Sequence, residues 1–228
     1  MVSERSLKRL RELIQRIVEA ETDDFFELAK IAGLNPSKDF STANLSSLDL
    51  RSAQLAGANF IATDLSHANL VNANLTEANL INANLTGAKL INATLDSASL
   101  VSADMMGVSL VNATLLSANL TGANLTKADL SHADLRRAVM IGSKLDGAIL
   151  YLASLNHVDL RRSSLTMANF RSANLYGTNL SYADLRGADL TDANLAGATF
   201  EKTLLSDNQG LTREVMTDLQ QRGAIVEH

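Results

Sequence analysis

The sequence predicts an all-β solenoid, a stack of coils made of short extended sides and sharp corners. Three observations predict it. In "ANLVNANLTEANLINANL", residues 68–85, a Leu returns every fifth residue with an Ala two places before it. Five fits neither the helical period of 3.6 nor the strand period of 2. The glycines inside the repeat all fall at one of its five positions.

With each repeated Leu as centre i, the register runs from Phe40 to Leu205 without insertion or deletion, over 34 centres. Every centre is Leu except Phe40, Phe60, Met105, Met140, Phe170 and Phe200. Position i−2 is Ala in 25 of the 34, and position i−1 is Asn or Asp in 21. Residues i−2 and i point the same way from an extended piece. The next inward residue is three further on, so a bend must lie between. Gly57, Gly87, Gly107, Gly122, Gly142, Gly147, Gly177, Gly187 and Gly197 all stand at i+2, as do Asn72, Asn82, Asn92 and Asn112. Gly, and next Asn, tolerate positive φ, so i+2 is a corner. Ser, Lys, Arg and His also occupy i+2, which leaves room for corners with negative φ.

The elements divide the chain into an α-helical N-terminal cap over 1–37, the repeat shaft over 38–206, and a C-terminal helix and tail over 207–228. Leu7, Leu10, Ile14 and Ile17 recur at helical spacing, giving an amphipathic helix. A second helix starts near Thr22 and stops at Gly33 and Pro36, with Phe25, Phe26, Leu28 and Ile31 to cover the first coil. A solenoid needs such caps because its end coils otherwise expose core and strand edges. The single Pro lies just before the repeats, where it interrupts no ladder. After Leu205, residues 212–222 read as a helix with Val215, Met216 and Leu219 on its apolar face. Gly223 stops it, and "AIV" supplies a last strand.

Composition narrows the function. The 228 residues are 46% hydrophobic but only 4% aromatic, without Trp, so the core is narrow and filled by small and medium side chains. There is no Cys, which excludes disulfides and thiolate chemistry. A net charge of −5 suits neither a basic nucleic-acid binder nor an extreme acidic mimic. The N-terminus "MVSERSLKRLRELIQ" lacks an apolar signal core, and no run reaches membrane-spanning length. The expectation is a cytoplasmic protein that does not enter a membrane.

"ANLTGANLTKADLSHADL" and "ADLRGADLTDANLAGATF" resemble the pentapeptide repeat family, with its A(D/N)LXX motif. The resemblance covers residues 38–206. It implies a right-handed quadrilateral β-helix with four pentapeptides per coil, hence about eight coils and a rod about 40 Å long at ~4.8 Å per coil. The "RGAIVEH" ending is similar to cyanobacterial members. The resemblance implies a non-enzymatic role through protein contacts. It also implies an alternative, the DNA mimicry of members that protect gyrase. Against mimicry, residues 39–206 hold 14 Asp and Glu to 11 Lys and Arg, a net −3, with no loop insertion.

Little in the sequence points to catalysis. On the family's coil of twenty residues, His67, His132 and His157 fall on three different faces. Repeat residues such as Asp129, Asp134 and Asp189 are read as partners of local backbone rather than paired acids. No phosphate loop, nucleophile elbow or HExxH motif is present. Neither a cofactor nor a metal is expected. Arg136, Arg137, Arg161, Arg162 and Arg171 project from three faces and are read as solvated charge.

The candidate partner surface is an apolar series at i+1. Ile61, Ile81, Val101 and Ile141 stack on one face; Val71, Ile91, Val111 and Tyr151 stack on the opposite one, enlarged by Ile149 and Leu152. A contiguous outward apolar stripe marks a contact surface, while β-branched residues also suit plain packing between coils. The expected partner is another protein; the sequence leaves monomer and homodimer open.

Overall fold

Asn44 pairs with Asp64, Asp49 with Asn69, and Gln54 with Asn74, all in parallel bridges. Each position i−1 thus bonds the i−1 residue twenty places on, and the pattern continues to Asp189 and Gln209. Twenty residues are four pentapeptides, so each coil has four sides and the shaft is a quadrilateral β-helix. The computed structural model describes residues 40–226, together with Glu12 and Gly33. The helical cap expected over 1–37 lies outside the described residues.

One repeat accounts for all five of its backbone N–H groups. Leu120 donates to Val139 O of the next coil at 2.7 Å, and Gly122 to Ile141 O at 2.9 Å. Asn124 donates to Ala103 O of the previous coil at 2.9 Å, and Ala123 closes the turn on Leu120 O at 3.0 Å. The Thr121 N–H, inside the turn, is taken by Asn119 Oδ1 at 3.1 Å. This last bond explains the Asn or Asp at i−1: its side chain satisfies the one donor the ladder cannot reach. Asp129, Asp134 and Asp189 do the same for Ser131, Arg136 and Thr191.

The corners differ from the expectation in one respect. All 34 residues at i+2, from Thr42 to Asp207, have positive φ, including Glu77, Lys127, Arg137, Met167 and Tyr182. Positive φ at the third turn residue alone marks a type II turn. A non-glycine residue there is strained by about 1 kcal/mol or more. From Thr42 to Gly187 each corner N–H bonds the next coil, and that ladder holds the side chains in place whatever their type.

Inside the shaft every centre but the half-buried Leu195 is buried, with Leu120, Met140 and Phe200 fully enclosed. Position i−2 is buried beside them, which is why it is small. Where Ala is replaced there, the hydroxyl finds a carbonyl: Ser143 donates to Met140 O at 2.7 Å and Thr178 to Leu155 O at 2.6 Å. Phe40 and Phe60 stack with ring centroids 5.6 Å apart at the N-terminal end of one side.

At the other end, β1 (Leu204–Leu205) pairs in parallel with β2 (Ile225–Val226). Between them, α1 (Arg213–Gln221) starts at Thr212, whose hydroxyl accepts from the Val215 N–H, and it buries Leu219. Arg222 follows the helix. Its guanidinium lies 5.0 Å from the Phe200 ring centroid. It donates to the carbonyls of Leu195 (3.0 Å) and Ala198, and pairs with Asp218 at 2.9 Å. The Ala198 carbonyl, of the kind that a further coil would bond, is thereby satisfied.

Candidate interaction surface

Only i−1 points outward from a flat side; i+1 and i+2 together form the corner. The i+1 series therefore runs along two diagonally opposite edges of the rod, not along two faces. Ile61, Ile81, Val101 and Ile141 lie on one edge, and Val71, Ile91, Val111 and Tyr151 on the other. All of these except Tyr151 are half-buried. Residues one coil apart cover one another, so most of the series is packing between coils.

Three exposed apolar side chains fall close together in one coil. Ile149, Tyr151 and Leu152 are 40%, 37% and 42% exposed. Ile149 lies on the flat side, Tyr151 and Leu152 on the corner that follows. Tyr151 meets His132 of the coil below edge-to-face at 5.7 Å. Ile149 occupies the i−1 position, which carries the capping Asn or Asp in 21 of the 34 repeats. The Tyr151 N–H consequently has no hydrogen-bond partner within the chain. Here the chain gives up a local hydrogen bond and shows water an apolar side chain instead.

Four exposed apolar side chains escaped the sequence reading: Met106, Met167, Tyr176 and Tyr182. Each stands alone in its column, so no repeating signal marked it. Tyr176 meets His157 edge-to-face at 5.4 Å. Tyr182 lies between Lys202 Nζ, 5.3 Å from its centroid, and the Arg162 guanidinium at 6.0 Å.

The charged groups mostly neutralise one another locally. In each Asp-Leu-Arg triplet the arginine folds back on the aspartate two places before it. Arg51–Asp49, Arg136–Asp134 and Arg186–Asp184 close at 2.6 Å and Arg161–Asp159 at 2.7 Å. The arginine hydrogen bond holds Asp49, Asp134, Asp159 and Asp184 below the usual carboxylate pKa. Hydroxyl donors do the same for Asp64, from Ser66, and for Asp189, from Thr191. His67, His132 and His157 stand on three different corners. Among the described residues no group of three or more His, Asp or Glu is placed to hold a metal ion. Nor is any described helix long and apolar enough to cross a membrane.

The family described as Pentapeptide repeats matches in eight copies, over residues 39–76, 73–112, 115–150, 153–192 and 168–207. Among solved structures, the chain is similar to HetL, a pentapeptide repeat protein involved in heterocyst differentiation regulation from the cyanobacterium Nostoc sp. strain PCC 7120. Identity is 35% and the TM-score 0.63, covering 72% of this chain and 84% of that one. Rfr23, a pentapeptide repeat protein from the cyanobacterium Cyanothece 51142, is 33% identical over 42% of this chain and 63% of its own, with a TM-score of 0.39. A trypsin-treated form of QnrB1, a plasmid-mediated fluoroquinolone resistance protein, shares the fold at 18% identity. Its TM-score is 0.50, over 72% of this chain and 95% of that one. No curated protein matches the chain.

Proposed function

Because this chain belongs to the pentapeptide repeat family, with its right-handed quadrilateral β-helix, we propose that it is a non-enzymatic interaction scaffold that presents a rigid surface to another protein. One observation carries the proposal: Ile149, Tyr151 and Leu152 lie exposed together in one coil, with an apolar residue at a position the repeat most often gives to Asn or Asp. Such a trade lowers local stability, and burial against a partner offsets it. The rod supplies the second requirement of a docking surface. Its side chains are set on a backbone bonded on both sides, so little order remains to be imposed on binding. HetL, involved in heterocyst differentiation regulation, supports a regulatory role of this kind.

DNA mimicry is the weaker reading. It asks for unbroken acidic rows, and here Asp49, Asp134, Asp159 and Asp184 each carry their own arginine.

The test is a pull-down from the native host with three tagged proteins. Tyr151→Lys with Leu152→Lys removes the exposed cluster; Lys127 and Lys202 already occupy the same corner position, so the fold survives. Ile81→Lys with Val101→Lys alters the half-buried series. The proposal expects the first pair to lose a partner that the wild type and the second pair retain. Retention by all three proteins would refute it.

A further inference from the structure

The shaft has four sides at its C-terminal end, and three of them are closed. Above Leu185 lies β1, itself paired with β2. Above Leu190, Gln209 makes both bonds of the ladder, at 3.0 and 3.2 Å. On the side of Phe200, Arg222 takes the Ala198 carbonyl, and the Lys202 N–H donates to Gly223 O at 2.8 Å. The fourth side, Ala193 to Gly197, has no strand above it among the described residues.

The coil below shows what this side lacks. There Leu175 donates to Asn194 O at 2.9 Å, Gly177 donates to Ala196 O at 3.0 Å, and Ala173 O accepts from the Asn194 N–H at 3.0 Å. One coil on, the same three groups are the Leu195 N–H, the Gly197 N–H and the Ala193 carbonyl. None of them has a partner within the chain.

The side nevertheless keeps the geometry of a paired one. Asn194 Oδ1 caps the Ala196 N–H at 3.1 Å, Asn194 Nδ2 donates to Asn174 Oδ1 at 3.1 Å, and Gly197 has the corner φ of +67. Its side chains are as incomplete as its backbone. Leu195 is the one centre of the shaft that is only half-buried, and Ala193 beside it is half-buried too. The C-terminal helix encloses Leu219 and leaves this pair partly open to water.

An acceptor and two donors set out along an extended edge are matched by another backbone. One residue of an added parallel strand gives its N–H to Ala193 O and accepts from the Leu195 N–H. A chain that bends at the corner, as the repeat does, brings the carbonyl two residues on to the Gly197 N–H. The residues before and after the paired one point inward. The room over Ala193 and Leu195 suits a small residue before and a leucine after. We propose that this side binds an extended segment of another protein, carrying a small residue two places before a leucine, by strand addition. Strands of that pattern in a second copy of the chain are already taken by its own shaft. The site is distinct from the docking cluster at Ile149.

Amide exchange on the full chain tests this, with a synthetic peptide of residues 120–129, LTGANLTKAD, as the probe; its Ala123, Asn124 and Leu125 have the required pattern. At a peptide concentration about ten times its Kd, exchange at Leu195 and Gly197 should slow about tenfold. Leu175 and Gly177, bonded already, should not change. The variants are placed in the peptide, so the fold of the protein is untouched. N-methylation at Asn124 removes the donor to Ala193 O and should abolish the effect. N-methylation at Leu125, whose N–H points away from the edge, should leave it. Leu125→Ser in the peptide should weaken binding at least about tenfold. The Tyr151→Lys, Leu152→Lys protein should respond as the wild type does. No slowing at Leu195 and Gly197 overturns the proposal, as does equal binding by the two N-methylated peptides. Protection that rises with the protein's own concentration, without peptide, gives the edge to a second copy and overturns it equally.

Discussion

Gly177 sits directly over the imidazole of His157, one coil below: a Cβ added to Gly177 would lie 2.6 Å from His157 Nδ1. Gly87 covers His67 in the same way, at 2.7 Å, and Gly187 covers Met167. At these three corners the glycine leaves room for a large side chain that folds over it from twenty residues before. The coil thus couples positions that are distant in sequence.

Gly177→Ala is expected to destabilise the shaft by about 1–3 kcal/mol. Part is strain at φ +67, and part is the loss of the His157–Tyr176 contact as the imidazole is displaced. Gly57 has the same φ and open space around it, so Gly57→Ala should show the strain alone. In a His157→Ala background, Gly177→Ala and Gly57→Ala should cost the same in denaturant melts. An unchanged difference would mean that the pair is not coupled.

Leu120→Asp places a carboxylate in a fully enclosed site with no partner. The variant should not fold, seen as loss of the β circular dichroism signal. A soluble, fully β-rich variant would contradict the inward assignment of the centres.

Arg222→Met keeps an apolar stem over Phe200 but removes the donors to Leu195 and Ala198. Each hydrogen bond to a charged group contributes about 1.5–3 kcal/mol. Amide exchange should quicken across residues 193–200 and stay unchanged in the middle of the shaft. Equal protection in both proteins would show that the C-terminal end is closed without the arginine.

The triple variant Asp134→Asn, Asp159→Asn, Asp184→Asn keeps the amide acceptor for the turn and removes only the charge. The arginine hydrogen bonds hold these carboxyls below the ordinary carboxylate range in the folded chain. Their contribution is present above the unfolded pKa, about 3.9, and is lost as pH falls through the folded pKa. Wild-type stability should therefore drop more steeply below about pH 4 than that of the variant. Parallel curves would exclude the arginine pairs as contributors. The pairs are largely exposed, so the difference is expected to be small.

The shaft was legible because each of its five positions has one physical task. Leu120 fills, Ala123 lets walls approach, and Asn119 caps the Thr121 N–H; those tasks recur in unbroken register. The positive φ at Glu77 or Lys127 was not legible. Side-chain preference predicts a corner only where the ladder leaves it a choice, and the N–H groups of Glu77 and Lys127 are both held by the next coil. The half-burial of Ile81 and Val101 was hidden for a related reason: period five does not tell whether i+1 lies on a side or in a turn. The cluster at Ile149 was legible as an apolar residue in a capping position. The place of Arg222 at the end of the shaft was not, because it lies beyond the repeat, where no register places it.

The account's central claim is that contact with a partner falls on the coil carrying Ile149, Tyr151 and Leu152. A photoreactive phenylalanine analogue at position 151, irradiated in the native host, tests it most directly. The same group at position 79, on a flat polar side, is the comparison. The account predicts one discrete protein adduct from position 151 and none from position 79. No adduct at 151, or the same adducts at both positions, would contradict it.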